Sequence, residues 1–135
     1  MSLNLHTALI STMVIVSAAD GDMTDREFNT IGEVVRMLPI FSEYNEEHLP
    51  ADAKSSMELL QETEGLDAMV AKIKAVLPKK LHDMAYALGC DIAVCDGQLS
   101  QEELRLLEIL RHGLDVDRLT AAAIERGAAT RFHRL

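Results

Sequence analysis

The chain repeats itself. Residues 5–31 superimpose on residues 81–107 at an offset of 76 (96 − 20), which places Leu5 on Leu81, His6 on His82 and Asp20-Gly21 on Asp96-Gly97. Met23 then meets Leu99, Thr24 meets Ser100, Glu27 meets Glu103, and Phe28 and Ile31 meet Leu104 and Leu107. Outside the Asp-Gly dipeptide few residues are identical, but the order of apolar stripe, turn, cap and carboxylate is kept. A supersecondary unit used twice and packed against itself is the usual meaning of such a repeat.

Each copy reads as helix, tight turn, helix. Leu5, Leu9, Ile10, Met13 and Val16, with Val14 near them, recur at helical spacing and predict one apolar stripe. Gly21 and Gly97 end the first helix of each copy, because glycine accepts a positive φ without a steric penalty. Thr24-x-x-Glu27 and Ser100-x-x-Glu103 are capping boxes: the hydroxyl accepts an amide of the next helix, and the glutamate reaches back to the cap's own amide. Phe28, Ile31, Val34, Val35 and Leu38 carry the second helix up to Pro39. In the second copy the helices are expected over about 79–95 and 101–112, with Gly113 as a stop.

These expectations give an all-α, single-domain bundle of six to eight helices with two pseudo-symmetric helix-turn-helix halves. Repeat one spans about 5–38 and repeat two about 79–112. A helical, acidic connector over about 40–77 contains Pro50, which either kinks a helix or marks its start, and a short last helix is expected over about 116–127. No stretch alternates as a strand would. Aromatic residues make up 4% of a chain that is 48% hydrophobic, so the core must be aliphatic and methionine-rich, a mixture that suits helices.

Charge narrows the function classes. The net charge of −9 argues against nucleic acid, which demands cations to displace phosphate counterions. It argues equally against adsorption to an anionic membrane surface. Residues 20–67 hold 13 carboxylates against Arg26, Arg36 and Lys54, a local balance of −10, whereas Arg118, Arg126, Arg131 and Arg134 make the tail basic. The apolar run Leu9–Ala19 lacks the basic leader of a signal peptide and is too short to span a bilayer, so a core helix in a cytoplasmic protein is expected. Cys90 and Cys95, five apart on one helix, point in different directions and read as buried, reduced thiols.

Chemistry is scarce. The turns resemble half of an EF-hand loop, with Asp20, Gly21, Thr24 and Glu27, or Asp96, Gly97, Ser100 and Glu103, at its fifth, sixth, ninth and twelfth positions. The first and third positions are Val16 and Ala18, or Ile92 and Val94, which offer calcium no side-chain oxygen. A cation site between the copies remains open to Asp20, Asp22, Glu27, Asp91, Asp96 and Glu103, whose mutual repulsion a divalent ion would relieve. Helix capping alone also accounts for most of these residues. No phosphate-cradling glycine loop, nucleophile elbow or HExxH motif is present, so an enzyme is not expected.

Ala18-Ala19-Asp20-Gly21-Asp22-Met23-Thr24-Asp25-Arg26-Glu27 resembles the first signature of the TerB-like, tellurite-resistance domain, and Asp91 to Glu103 resembles the second. The resemblance covers most of residues 5–125. It implies a helical fold with two related halves and a part in resistance to tellurite or other stress. It also implies protein partners in complexes at the inner face of the bacterial membrane. Carried over by motif position, it implies divalent-metal binding by Asp20, Glu27, Asp96 and Glu103, with Asp22 and Asp91 beside them; calcium, magnesium, manganese and zinc are the candidate ions. Cys95 stands where the family often has alanine, and Gln98 where an acid is common, which implies a weaker second site. The alternative is a helical scaffold that binds proteins and holds no metal.

Overall fold

A computed structural model describes residues 3–19, 21–62, 65–97 and 99–135. Among them are seven α-helices and no strand: α1 (Leu5–Ser17), α2 (Asp25–Met37), α3 (Leu49–Glu62), α4 (Leu66–Val76), α5 (His82–Val94), α6 (Gln101–Gly113) and α7 (Arg118–Arg131). Short 3-10 turns at Pro39–Phe41, Glu46–His48 and Lys79–Leu81 link them. The all-α, single-domain expectation holds.

The centre is α1. Every residue from Thr7 to Ser17 is buried, so the predicted stripe is in fact a helix enclosed on all sides. It packs chiefly against α5 and α3, with α4 alongside, and α5 packs in turn against α7. The polar residues in α1 find partners within this interior. Thr12 donates to the Ala8 carbonyl (2.9 Å), Ser17 donates to the Val14 carbonyl (2.8 Å), and Ser11 shares a 2.8 Å hydrogen bond with Ser56 of α3. Left unpaired, each hydroxyl would cost about 1–3 kcal/mol in such a core.

At the turn, the cap and the second helix the duplicated segments share one local geometry, whereas α1 opens on an Asn4 capping box and α5 after a 3-10 turn. Helices α2 and α6 correspond residue for residue at the offset of 76 (101 − 25), each 13 residues long. Their caps are nearly superimposable in torsion, with Thr24 at φ −79°, ψ 162° and Ser100 at −76°, 162°. The amide of Gly21 donates to Ala18 and that of Gly97 to Val94, the matching carbonyl, with φ of +113° and +81° at the two glycines. Beyond the units the chain diverges, since the connector follows the first and α7 the second.

Other boundaries follow local chemistry. Helices α2 and α4 stop at Leu38 and Leu77, both extended (ψ 134° and 132°) because the next residue is proline. Pro50 sits in the first turn of α3 and marks its start. The helix expected from residue 79 opens instead with a 3-10 turn after Pro78, and α5 begins at His82.

Gly113 is not the stop that the sequence suggested. It is the last residue of α6, and the left-handed residue that ends the helix is Asp115 (φ +53°). The amide of Val116 donates to Arg111 and that of Asp115 to His112, the paired bonds of a Schellman ending. Gly113 is needed for proximity: a Cβ there would stand 2.4 Å from Cγ1 of Val70 in α4. The last helix runs on to Arg131, past the expected 127, because Ala121 and Ala128 stay buried as it docks on α5.

Candidate functional site

The turns that join α1 to α2 and α5 to α6 each lead to a buried glutamate, and the two carboxylates are near enough to act on each other's charge. Glu27 and Glu103 are 3% and 4% exposed, and each accepts the amide of its own cap, Thr24 at 2.8 Å and Ser100 at 3.0 Å. The hydroxyls of Thr24 and Ser100 accept the glutamate amides in return, at 3.1 and 3.0 Å. Both capping boxes read from the sequence are therefore present, and each sends a carboxylate inward.

Burial pushes the Glu103 carboxyl above the usual range, and the charges of Asp96 and Glu27 push it further, against the bonds from Ser100 that favour the anion. Cys95, the residue that caps α5, is buried in the same neighbourhood. Its thiol is raised first by desolvation and then by Asp96, Glu27 and Glu103, while a hydrogen bond with Thr30 of α2 works the other way. One residue from the first unit and three from the second thus feel one another's charge.

The remaining candidates fall elsewhere. Asp22 is exposed on the first turn. Asp91 lies on α5 and pairs with Arg131 of α7 at 2.6 Å. Burial nonetheless holds its carboxyl above the ordinary value. Asp20 lies outside the described residues, as does Gln98. Among the described residues no three histidine, cysteine, aspartate or glutamate side chains are arranged to hold a metal ion. The oxygens of Glu27, Asp96 and Glu103 are donors of the kind a hard cation prefers.

Both repeat-matched histidines are structural ties. His6 Nε2 lies 2.8 Å from the Ile40 carbonyl and His82 Nε2 lies 3.1 Å from the Leu77 carbonyl. A carbonyl only accepts, so Nε2 carries the proton in each ring. The two cysteines are free and buried. Cys90 sits beside Tyr86, whose hydroxyl donates to Glu125 at 2.6 Å, and burial pushes the Cys90 thiol up to about 12.

The sequence profile of the tellurite resistance protein TerB family matches residues 6–126, which takes in both turns, the connector and most of α7. The chain belongs to the TerB family. No curated protein and no solved structure matches it. The duplicated Asp-Gly and capping-box segments of this TerB-family chain are the residues on which its resemblance to the family was first visible. Among its described residues, no helix is long and apolar enough to cross a membrane.

Sequence reasoning missed three contacts: Arg131 with Asp91, Thr30 with Cys95, and the Arg134 side chain over Gly97. The basic tail was visible, but nothing local says where it docks.

Proposed function

We propose that this TerB-family chain is a non-enzymatic cytoplasmic module of a stress or tellurite response that binds a divalent cation where its two turns meet. The observation that carries this reading is that Glu27 and Glu103, one from each unit, are both buried and close enough, with Asp96, for their charges to act on one another. A divalent ion relieves that cost. Glu27, Asp96 and Glu103 are not arranged around an ion as they stand and would have to close on it, joined by Asp20 and Asp22 as the family motif implies, with Asp91 held in its pair with Arg131. Water would fill the remaining coordination positions, as hard cations commonly allow. Calcium, magnesium or manganese suits these oxygens better than zinc, which favours nitrogen and sulfur donors. Burial, which holds the Cys90 thiol protonated, speaks against nucleophilic chemistry there.

The test is thermal. Millimolar calcium, magnesium, manganese and zinc are added one at a time, and the melting temperature is read for the native chain and for Asp20→Asn with Asp96→Asn. A ligand at 100 times its dissociation constant stabilises by about 2.7 kcal/mol, a shift of several degrees at this size. The rise should vanish in the double variant. If none of the four ions raises the midpoint of the native chain, the cation reading is wrong.

A partner-binding role, compatible with the first, is favoured by a separate observation. Met37 on α2 is 79% exposed at the edge of an apolar hollow between the two units. The acidic face of residues 43–67 offers partners a second surface. Protein partners in a membrane-associated complex fit this reading.

A further inference from the structure

Where α2 of the first unit meets α5 of the second, the seam is not filled. An open hollow of about 560 Å3 runs between them and ends against the tip of α7. Val34, Met37 and Leu38 line one side, Met84 and Leu88 the other, and Phe132 the end. Thioether and hydrocarbon dominate these walls. Methionine, unbranched and polarisable, reshapes easily around an incoming side chain, which is why such surfaces accept varied apolar partners.

Charge selects among those partners. Glu33 and Asp91 stand at the rim, with Arg131 as the rim cation, and Asp91 already engages Arg131 at 2.6 Å. Arg36, one position from Met37, is engaged by Glu46 at 2.6 Å. With Asp91 and Arg131 paired, the lining charge left to an approaching segment is that of Glu33. Shape selects as well. One wall runs along α2 from Thr30 to its cap Leu38, roughly 12 Å of helix axis, room for about two turns of a helix laid beside it.

We propose that this groove seats an amphipathic helix of another protein, with its aliphatic face on Met37 and Met84 and its lysines or arginines toward Glu33. The inference rests on the partner-binding reading and names the partner's chemistry. Thr30 lines the groove and lies near enough to Cys95 to act on its thiol, so the same wall adjoins the second turn.

The experiment uses the full chain with carbon-13 methionine methyls and three synthetic 14-residue peptides. The first carries leucines on one helical face and lysines on the other. The second replaces every lysine with glutamate, and the third keeps the lysines but scatters the leucines. The expected result is saturable binding of the first peptide that shifts Met37 and Met84 and leaves Met57 of α3 unmoved. Met37→Ser, a change at an exposed position, should weaken it at least fivefold, and Glu33→Lys at least threefold. The acidic peptide should bind at least tenfold more weakly.

Equal binding of the scattered peptide would overturn the proposal, since charge alone would then suffice. Shifts at Met57 in place of Met37 and Met84 would also overturn it, moving the partner to the connector while partner binding itself survived. Failure of all three peptides to bind would remove the groove and this class of partner together. A dimer of the chain that Met37→Ser dissolves would assign the groove to a second copy and overturn it too.

Discussion

The two turn-and-helix units differ least in their backbones and most in what surrounds them. At the first turn, a Cβ added to Gly21 would meet nothing within 4 Å; at the second, one added to Gly97 would stand 3.1 Å from Nε of Arg134. At the far end the contrast runs the same way. Met37 and Gly113 are the same position at the repeat offset, the last residue of α2 and of α6. Met37 is 79% exposed beside the groove, whereas Gly113 is pressed against Val70, itself 2% exposed. The lesson is that a repeated sequence reproduces its turn and its cap, while burial and charge at matched positions are decided by neighbours that are not repeated.

The largest expected effect comes from exchanging the two ends. Gly113→Ala offers better helix propensity, yet its Cβ collides with Cγ1 of Val70, a stiff β-branched side chain in a filled core. Overpacking of this kind costs about 1–3 kcal/mol. Met37→Ala should stay within about 0.5 kcal/mol of the native chain, as exposed substitutions usually do. Denaturant midpoints measure both, and equal losses would show that the two ends are packed alike.

Next in size are the caps. Thr24→Ala and Ser100→Ala each remove one capping hydroxyl from an otherwise matched frame, and each should cost about 1 kcal/mol. Chemical denaturation of the two variants should give losses within a few tenths of each other. A twofold difference would mean that the caps, too, depend on their surroundings.

The smallest effect is electrostatic and concerns the second unit. Folding raises the Glu103 carboxyl, so the folded chain binds its proton more tightly than the unfolded chain does. The destabilisation is fully present at neutral pH and is relieved as pH falls through the raised folded value toward the ordinary one near 4.5. Glu103→Gln keeps an oxygen for the Ser100 amide and removes the charge. In metal-free buffer it should match or exceed the native melting temperature at pH 7, with the gap closing on acidification toward pH 4.5. A gap independent of pH would assign the effect to packing. Added cation should reverse its sign, because the variant lacks a proposed ligand.

The helices around the turns were legible because their signals are local. A proline sets the torsion of the residue before it, a glycine permits a positive φ, and a hydroxyl three residues before a glutamate closes a cap; none needs a distant partner. Leu38-Pro39, Gly21 and Thr24-x-x-Glu27 accordingly behave as read, and so do Gly97 and Ser100-x-x-Glu103. The candidate site was legible only in part. Glu27, Asp96 and Glu103 are named by their place in the repeat, whereas nothing local to Asp91 says that α7 brings Arg131 to it.

Periodicity and punctuation along the chain thus settle where helices begin and end and which residues cap them, since those energies are spent within four or five positions. Long-range packing settles the rest: that α1 is enclosed on every side, that Gly113 meets Val70 instead of ending a helix, and that a groove stays open beside Met37. Contacts between residues tens of positions apart depend on how whole helices stack, and no short window of sequence carries that information.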